Sequence, residues 1–261
     1  MTTALQIARS GLDALDHRMK TISNNLANVS TTGFKRDRAN FAALMYQDDR
    51  SPGAASGADT QYATGLGTGT GVRIAGTERI HTQGNMITTD NALDLAIDGA
   101  GFFAIQLADG TVGYTRDGGF KLSATGEIVT ASGQRLAQPL VVPDGASQVV
   151  ISPDGIVTAA LPGQAAPVEV GQLQLSRFLN PSGLMPIGDN LYRETAGSGP
   201  PTLGVAGQAG MGQIRQGMLE GSNVSTVQEL VDMIETQRAY EINSKVISAA
   251  DEMGRYVVQN V

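Results

Sequence analysis

A chain of 261 residues with 41% hydrophobic and 16% charged residues can bury a core and lies outside the composition of disordered segments. Its net charge of -7 sets most of the surface against nucleic-acid phosphates, and the lack of cysteine excludes disulfides, thiol catalysis and thiolate metal sites. With 33 glycines, 5% aromatics and no tryptophan, the composition predicts many turns and a thin core rather than one deep globule.

The first 30 residues carry an apolar stripe at Leu5, Ala8, Leu12, Leu15, Met19, Ile22, Leu26 and Val29, alternating steps of three and four. A mean step near 3.5 predicts an amphipathic helix suited to a left-handed supercoil, roughly 40 Å long. Thr3 with Gln6 offers a capping box at its start, and Gly33 a left-handed residue to close its end. The amino terminus lacks the basic start and unbroken apolar run of a cleaved signal peptide, and no stretch approaches a membrane span. The chain is therefore expected not to be membrane-embedded.

Lys35, Arg36 and Arg38 form a short basic run broken by Asp37, expected as a solvated loop. Residues 51–71 are rich in Gly, Ala, Ser and Thr, which predicts an extended loop. Gly65, Gly67, Gly69 and Gly71 lack the strand, helix and lysine of a phosphate-binding loop. From 101 to 155, turn pairs recur: Asp109-Gly110, Asp117-Gly118, Thr125-Gly126, Ser132-Gly133, Asp144-Gly145 and Asp154-Gly155, separated by alternating segments such as Phe103, Ile105 and Leu107. That spacing predicts consecutive antiparallel hairpins, with further strands within 168–179 and 203–220.

After Gly221, Ser225 with Gln228 or Thr226 with Glu229 supplies a capping box. A second stripe follows at Val231, Ile234, Arg238, Ile242, Val246, Ala249, Met253 and Tyr256, stepping near 3.6. Arg238 interrupts it, and a buried arginine needs a partner, so it is expected to meet a carboxylate or backbone carbonyls between helices or between copies. The chain reads as α+β: helix 1–33, extended segment 34–75, central antiparallel β domain 76–220 and helix 221–261, the two helices forming a coiled-coil domain.

Chemistry is poorly supplied. The two histidines, His17 in the first helix and His81 expected at the surface, make neither a triad nor a metal cluster. Asp94, Asp98, Asp109 and Asp117 are the carboxylates a β-rich hydrolase would need, but Asp98, Asp109 and Asp117 precede glycine as turn residues do. Asn28-Val-Ser30 and Asn223-Val-Ser225 match a glycosylation triplet yet flank the helices, where asparagine caps. No catalytic residue, metal or cofactor is expected. The terminal helices pack on each other within one chain or, each burying one stripe, on further copies; a contact that does not close yields an open helical filament.

The stretch Asn24-Asn-Leu-Ala-Asn-Val-Ser-Thr-Thr-Gly-Phe-Lys35 resembles the amino-terminal motif of bacterial flagellar rod and hook proteins, and Glu235 to Met253 resembles their carboxy-terminal motif. The motif positions are Asn24, Asn25, Asn28, Thr32, Gly33 and Phe34 at one end and Gln237, Tyr240 and Asn243 at the other. Leu93 to Phe103 and Tyr114 to Phe120 are similar to the first β domain that family shares; 66–72, 77–84 and 187–192 look like its distal-rod branch. The resemblance implies a non-enzymatic subunit exported without a cleaved signal peptide. Copies would build a hollow helical shaft from periplasm to outer membrane, with helices inside and the β domain facing the P-ring and L-ring proteins. Its partners would be other copies, other rod proteins and the hook protein. Segment 46–71 stands where distal-rod proteins carry a stiffening loop. A proximal-rod or hook subunit is the nearest alternative reading.

Overall fold

The computed structural model describes residues 2–55, 61–163 and 166–259; part of the loop at 51–71 and the side chain of Thr3 lie outside the described residues. The chain forms an α+β protein with a helix at each end and a β-rich middle, gathered into two compact units. One comprises Met1–Leu26, Asp37–Glu78 and Ser225–Val261; the other comprises Ala27–Arg36 and Arg79–Val224.

In the first unit, α1 (Thr2–Ala27) exposes Ala4, Gln6, Arg9, Asp13, Asp16 and Lys20, while the stripe from Leu5 to Ile22 is half-buried or buried. The helix stops before Val29, which sits within a turn at 28–30, so the expected helical stripe loses its last position. Nor does Gly33 close the helix, six residues beyond its end. The segment expected as a loop carries strands: Asp37–Ala43 pairs with Val72–Arg79, and Tyr46–Arg50 pairs antiparallel with Leu66–Gly69. Glycine-rich sequence hid the strand Leu66–Gly69, because backbone hydrogen bonds, which composition does not record, hold its ribbon together. The Arg38 guanidinium bonds Glu78 at 2.8 Å across the outer ribbon. The second long helix, α2 (Thr226–Gln259), belongs to the same unit.

The second unit is built from hairpins. Phe103–Gln106 and Val112–Thr115 pair through a turn at Asp109-Gly110; Gln148–Ile151 and Ile156–Ala160 pair through Asp154-Gly155. The turn glycines Gly110, Gly126, Gly133, Gly145 and Gly155 all have φ near +80°, the left-handed conformation their turns require. Among the described residues the largest sheet has seven strands, with the hairpin 103–115 at its centre and Leu191–Arg193 joining Val112–Thr115. Beneath it lie Leu95, Ile97, Phe103, Ile105, Phe120 and Leu175, all essentially buried. A smaller cluster of Phe102, Tyr114, Phe178, Leu184 and Tyr192 packs edge to face, with Tyr114 and Phe178 centroids 4.7 Å apart. Gln216 fastens the edge strand Gln148–Ile151, accepting from the Ile151 amide and donating to the Val149 and Ala92 carbonyls.

Candidate assembly surface

Helix α2 has two unlike faces. Glu229, Asp232, Met233, Thr236, Ala239, Asn243, Ile247 and Ala250 recur at helical spacing and are buried or half-buried, Glu229 and Thr236 to 1% exposure. This covered face is mixed, with Glu229, Asp232, Thr236 and Asn243 interspersed with Met233, Ala239, Ile247 and Ala250. The apolar positions read from the sequence lie on the other side: Val231, Ile234, Ile242, Val246 and Met253 are between 45% and 63% exposed, and Arg238 is exposed among them. The periodicity predicted an apolar stripe and the stripe exists, but the single chain leaves it in solvent.

Polar contacts join the covered face to α1. Asn243 donates to the Ala8 carbonyl at 3.2 Å, Arg18 lies 3.8 Å from Asp232, and Asn25 donates to Glu229 at 3.2 Å. Asn243 reaches the α1 backbone because residue 11 is glycine; a Cβ there would stand 2.5 Å from the amide nitrogen of Asn243. A mid-helix glycine costs roughly 1 kcal/mol relative to alanine, here exchanged for that close approach. Asn25, 1% exposed, also bonds the Asp37 backbone twice, donating to its carbonyl and accepting from its amide at 2.9 Å each. It thereby ties the end of α1 to the first strand. Glu229, expected in a capping box, instead accepts from Asn25, and the Glu229 amide bonds the Ser225 carbonyl to start α2. His17 lies 3.2 Å from the Thr77 hydroxyl, a structural contact. Gln237 and Tyr240 are exposed. Ala4, Ile7, Ala8, Gly11, Val72 and Val246 line an apolar groove of about 460 Å³ in this unit.

In the second unit the remaining motif residues form a clasp. Lys35 is fully buried rather than solvated, its Nζ 2.5 Å from Glu220 Oε1 and 2.8 Å from the Thr82 carbonyl. Arg116, 5% exposed, meets Glu220 Oε2 at 3.2 Å and the Gly99 carbonyl at 2.7 Å. Burial pushes the Lys35 ammonium below its usual range, with the Glu220 carboxylate opposing that shift. Gly33, at φ +68°, lies so close to Asp117 that a Cβ would stand 2.6 Å from its amide nitrogen. Thr32 donates to the Asp117 carboxylate and Asn28 accepts from Thr31. Phe34 is buried under the Arg79 guanidinium, 6.0 Å away. Asn223, expected as a cap, is a hub: it accepts from the Arg36 amide at 2.7 Å and donates to the carbonyls of Ile80 and Thr82. Beside it His81, expected at the surface, packs edge-on against Phe102 and Tyr192 at 5.6 and 5.5 Å. Burial first, then Lys35, Arg79 and Arg116, lower its pKa to about 3, so the ring is neutral.

Sequence reasoning missed Glu220 and gave Asn223 only a capping role; the two stand either side of Gly221-Ser222, and Glu220 ends a short strand (Met218–Glu220) where a charge signals nothing by period. The four candidate carboxylates do not converge. Asp98 pairs with Arg215, Asp109 with Thr111 and Arg193, Asp117 with Thr32 and the Gly119 amide, and Asp94 with Asn91. Among the described residues no group of three or more His, Asp or Glu is placed to hold a metal, and no helix is long and apolar enough to cross a membrane.

Three family models match the chain: "Flagella basal body rod protein" over residues 5–35, "Flagellar hook protein FlgE/F/G D1 domain" over 96–159 and "Flagellar basal body rod FlgEFG protein C-terminal" over 215–260. The flagellar basal-body rod protein FlgG of Buchnera aphidicola subsp. Acyrthosiphon pisum is 51% identical over 97% of this chain and 97% of its own. In Caulobacter vibrioides, FlgG is 45% identical over 96% of each chain, against 36% for FlgF over 100% of this chain and 98% of its own. The chain belongs to the flagellar basal-body rod protein family, in its FlgG branch.

Proposed function

We propose that the protein is a structural subunit of the distal rod of the bacterial flagellum, in which copies stack helically into a hollow shaft that passes torque from motor to hook. One observation carries the mechanism: the apolar stripe of α2 is turned away from its own chain and half-exposed. Full burial of such a side chain contributes about 1.5–3 kcal/mol, so covering the exposed halves of five of them contributes on the order of 5 kcal/mol per copy. That is enough to drive association and too much to leave in solvent without purpose. Stripes of α1 and α2 from different copies would pack as coiled coils. The half-buried Leu5, Leu12, Leu15, Met19 and Leu26 serve as the partner surface, with Ile22 buried beneath them in its own chain, and Arg238 finds a carboxylate or carbonyls between copies. The β unit then faces the P-ring and L-ring proteins, and other rod proteins and the hook protein cap the two ends of the shaft.

The higher identity to FlgG than to FlgF of the same organism favours this position over the proximal rod. Type III export without a cleaved signal and a place between periplasm and outer membrane follow from the same reading. Removing residues 1–26 spares every segment of the β unit, so that chain should keep its β fold and fail to polymerise. Normal polymerisation of it, followed by sedimentation and electron microscopy, would sink the proposal.

A further inference from the structure

The β unit is closed by three segments that are far apart in sequence: 33–36, 80–85 and 220–223. Backbone bonds run among them, from the Gly33 amide to the Glu220 carbonyl at 2.7 Å, from Ile80 to Arg36 at 2.9 Å and from Gly221 to Asn85 at 2.8 Å. From the third segment Glu220 extends its carboxylate to the other two, meeting Lys35 and the Gly84 amide, and to Arg116 outside them. Asn223 does the same with its amide group. Glu220 is the one anion among these contacts, facing two buried cations, Lys35 and Arg116, from segments 185 and 104 residues away. Removing one partner of a buried ion pair leaves an uncompensated charge, a larger loss than the pair itself contributes.

We propose that Glu220 is the keystone of a clasp that makes docking of segment 31–36 conditional on arrival of segment 220–223, so that both ends of the chain close the β unit in one cooperative step. Without Glu220, Lys35 and Arg116 would have to enter the interior together as unpaired cations, and the motif segment stays undocked. With it, the stretches leading to α1 and to α2 leave the unit side by side, fixed by the same carboxylate. Gly84 and Gly221 are packed so closely that a Cβ on Gly84 would collide with the Gly221 carbonyl, which holds segment 220–223 tight against the segment that contains Gly84. Closure in this form needs no assembly, and it is tested on the unassembled chain.

Residue-resolved amide exchange on the full-length protein reads the clasp. In Glu220→Gln, which keeps shape and one acceptor, the Gly33, Arg36 and Gly84 amides should exchange at least about tenfold faster, while Phe103–Gln106 is unchanged. In Asn223→Ala, Gly33 should loosen together with Arg36 although Asn223 does not bond Gly33, because the clasp opens as a unit. If Glu220→Gln fails to fold, Lys35→Met combined with it should restore folding by removing one unpaired cation. Wild-type protection of Gly33 and Arg36 in Glu220→Gln, loosening confined to Arg36 in Asn223→Ala, or no rescue by the double substitution would each overturn the proposal.

Discussion

His81 titrates far below an ordinary imidazole, which makes it a reporter of the β unit. Its folded pKa of about 3 is below the unfolded value near 6.5, so between those values the unfolded chain binds a proton that the folded one refuses. Stability is therefore full above about pH 6.5 and falls as the pH drops toward 3, by about 1.4 kcal/mol per pH unit from this group. Replacing it by Phe keeps the edge-on packing against Phe102 and Tyr192 and removes the proton. Denaturant titrations at pH 6.5 and 4.5 should lose about 2–3 kcal/mol less in His81→Phe than in the wild type. Equal losses would place the ring in solvent. Neither this burial nor that of Lys35 was legible in the sequence, where a histidine among polar residues and a broken basic run look like surface. What pulls them in is Tyr192 and Glu220, more than 100 residues away.

At the scale of elements, both helices and the hairpins could be read directly, because period 3.5 and turn-glycine pairs are local signals. The direction α2 faces could not. A hydrophobic stripe tells which side wants burial, not whether its own chain or a second copy covers it. Here the covered side is led by Glu229, Thr236 and Asn243, whose contacts are specific bonds that leave no hydrophobic trace. The two faces should respond differently to substitution. Ile242→Glu, at a 63% exposed site, should leave the melting temperature of the single chain within about 2 °C and abolish polymerisation. Asn25→Ala should instead cost the folded chain about 2–3 kcal/mol, since it removes three hydrogen bonds, two to the Asp37 backbone and one to Glu229. Thermal melts and sedimentation on both variants separate these roles; an Ile242→Glu chain that polymerises normally contradicts the assignment of the stripe.

For the molecule as a whole, the sequence divided the chain serially into helix, loop, β domain and helix, whereas the structure draws each compact unit from separated segments. The chain passes from one unit to the other after residues 26, 36, 78 and 224; the motif residues Asn25 and Thr32 to Lys35 lie near the first two crossings, and Asn223 lies beside the last. The motif side chains bond both backbone and other side chains: Asn25 bonds the Asp37 backbone and Glu229, Thr32 bonds Asp117, and Lys35 bonds Glu220. The most direct test is a helical reconstruction of the polymer formed by the full chain. Val231, Ile234, Ile242, Val246 and Met253 should be buried against helices of neighbouring copies, with Arg238 paired; a polymer that leaves this stripe in solvent would contradict the account.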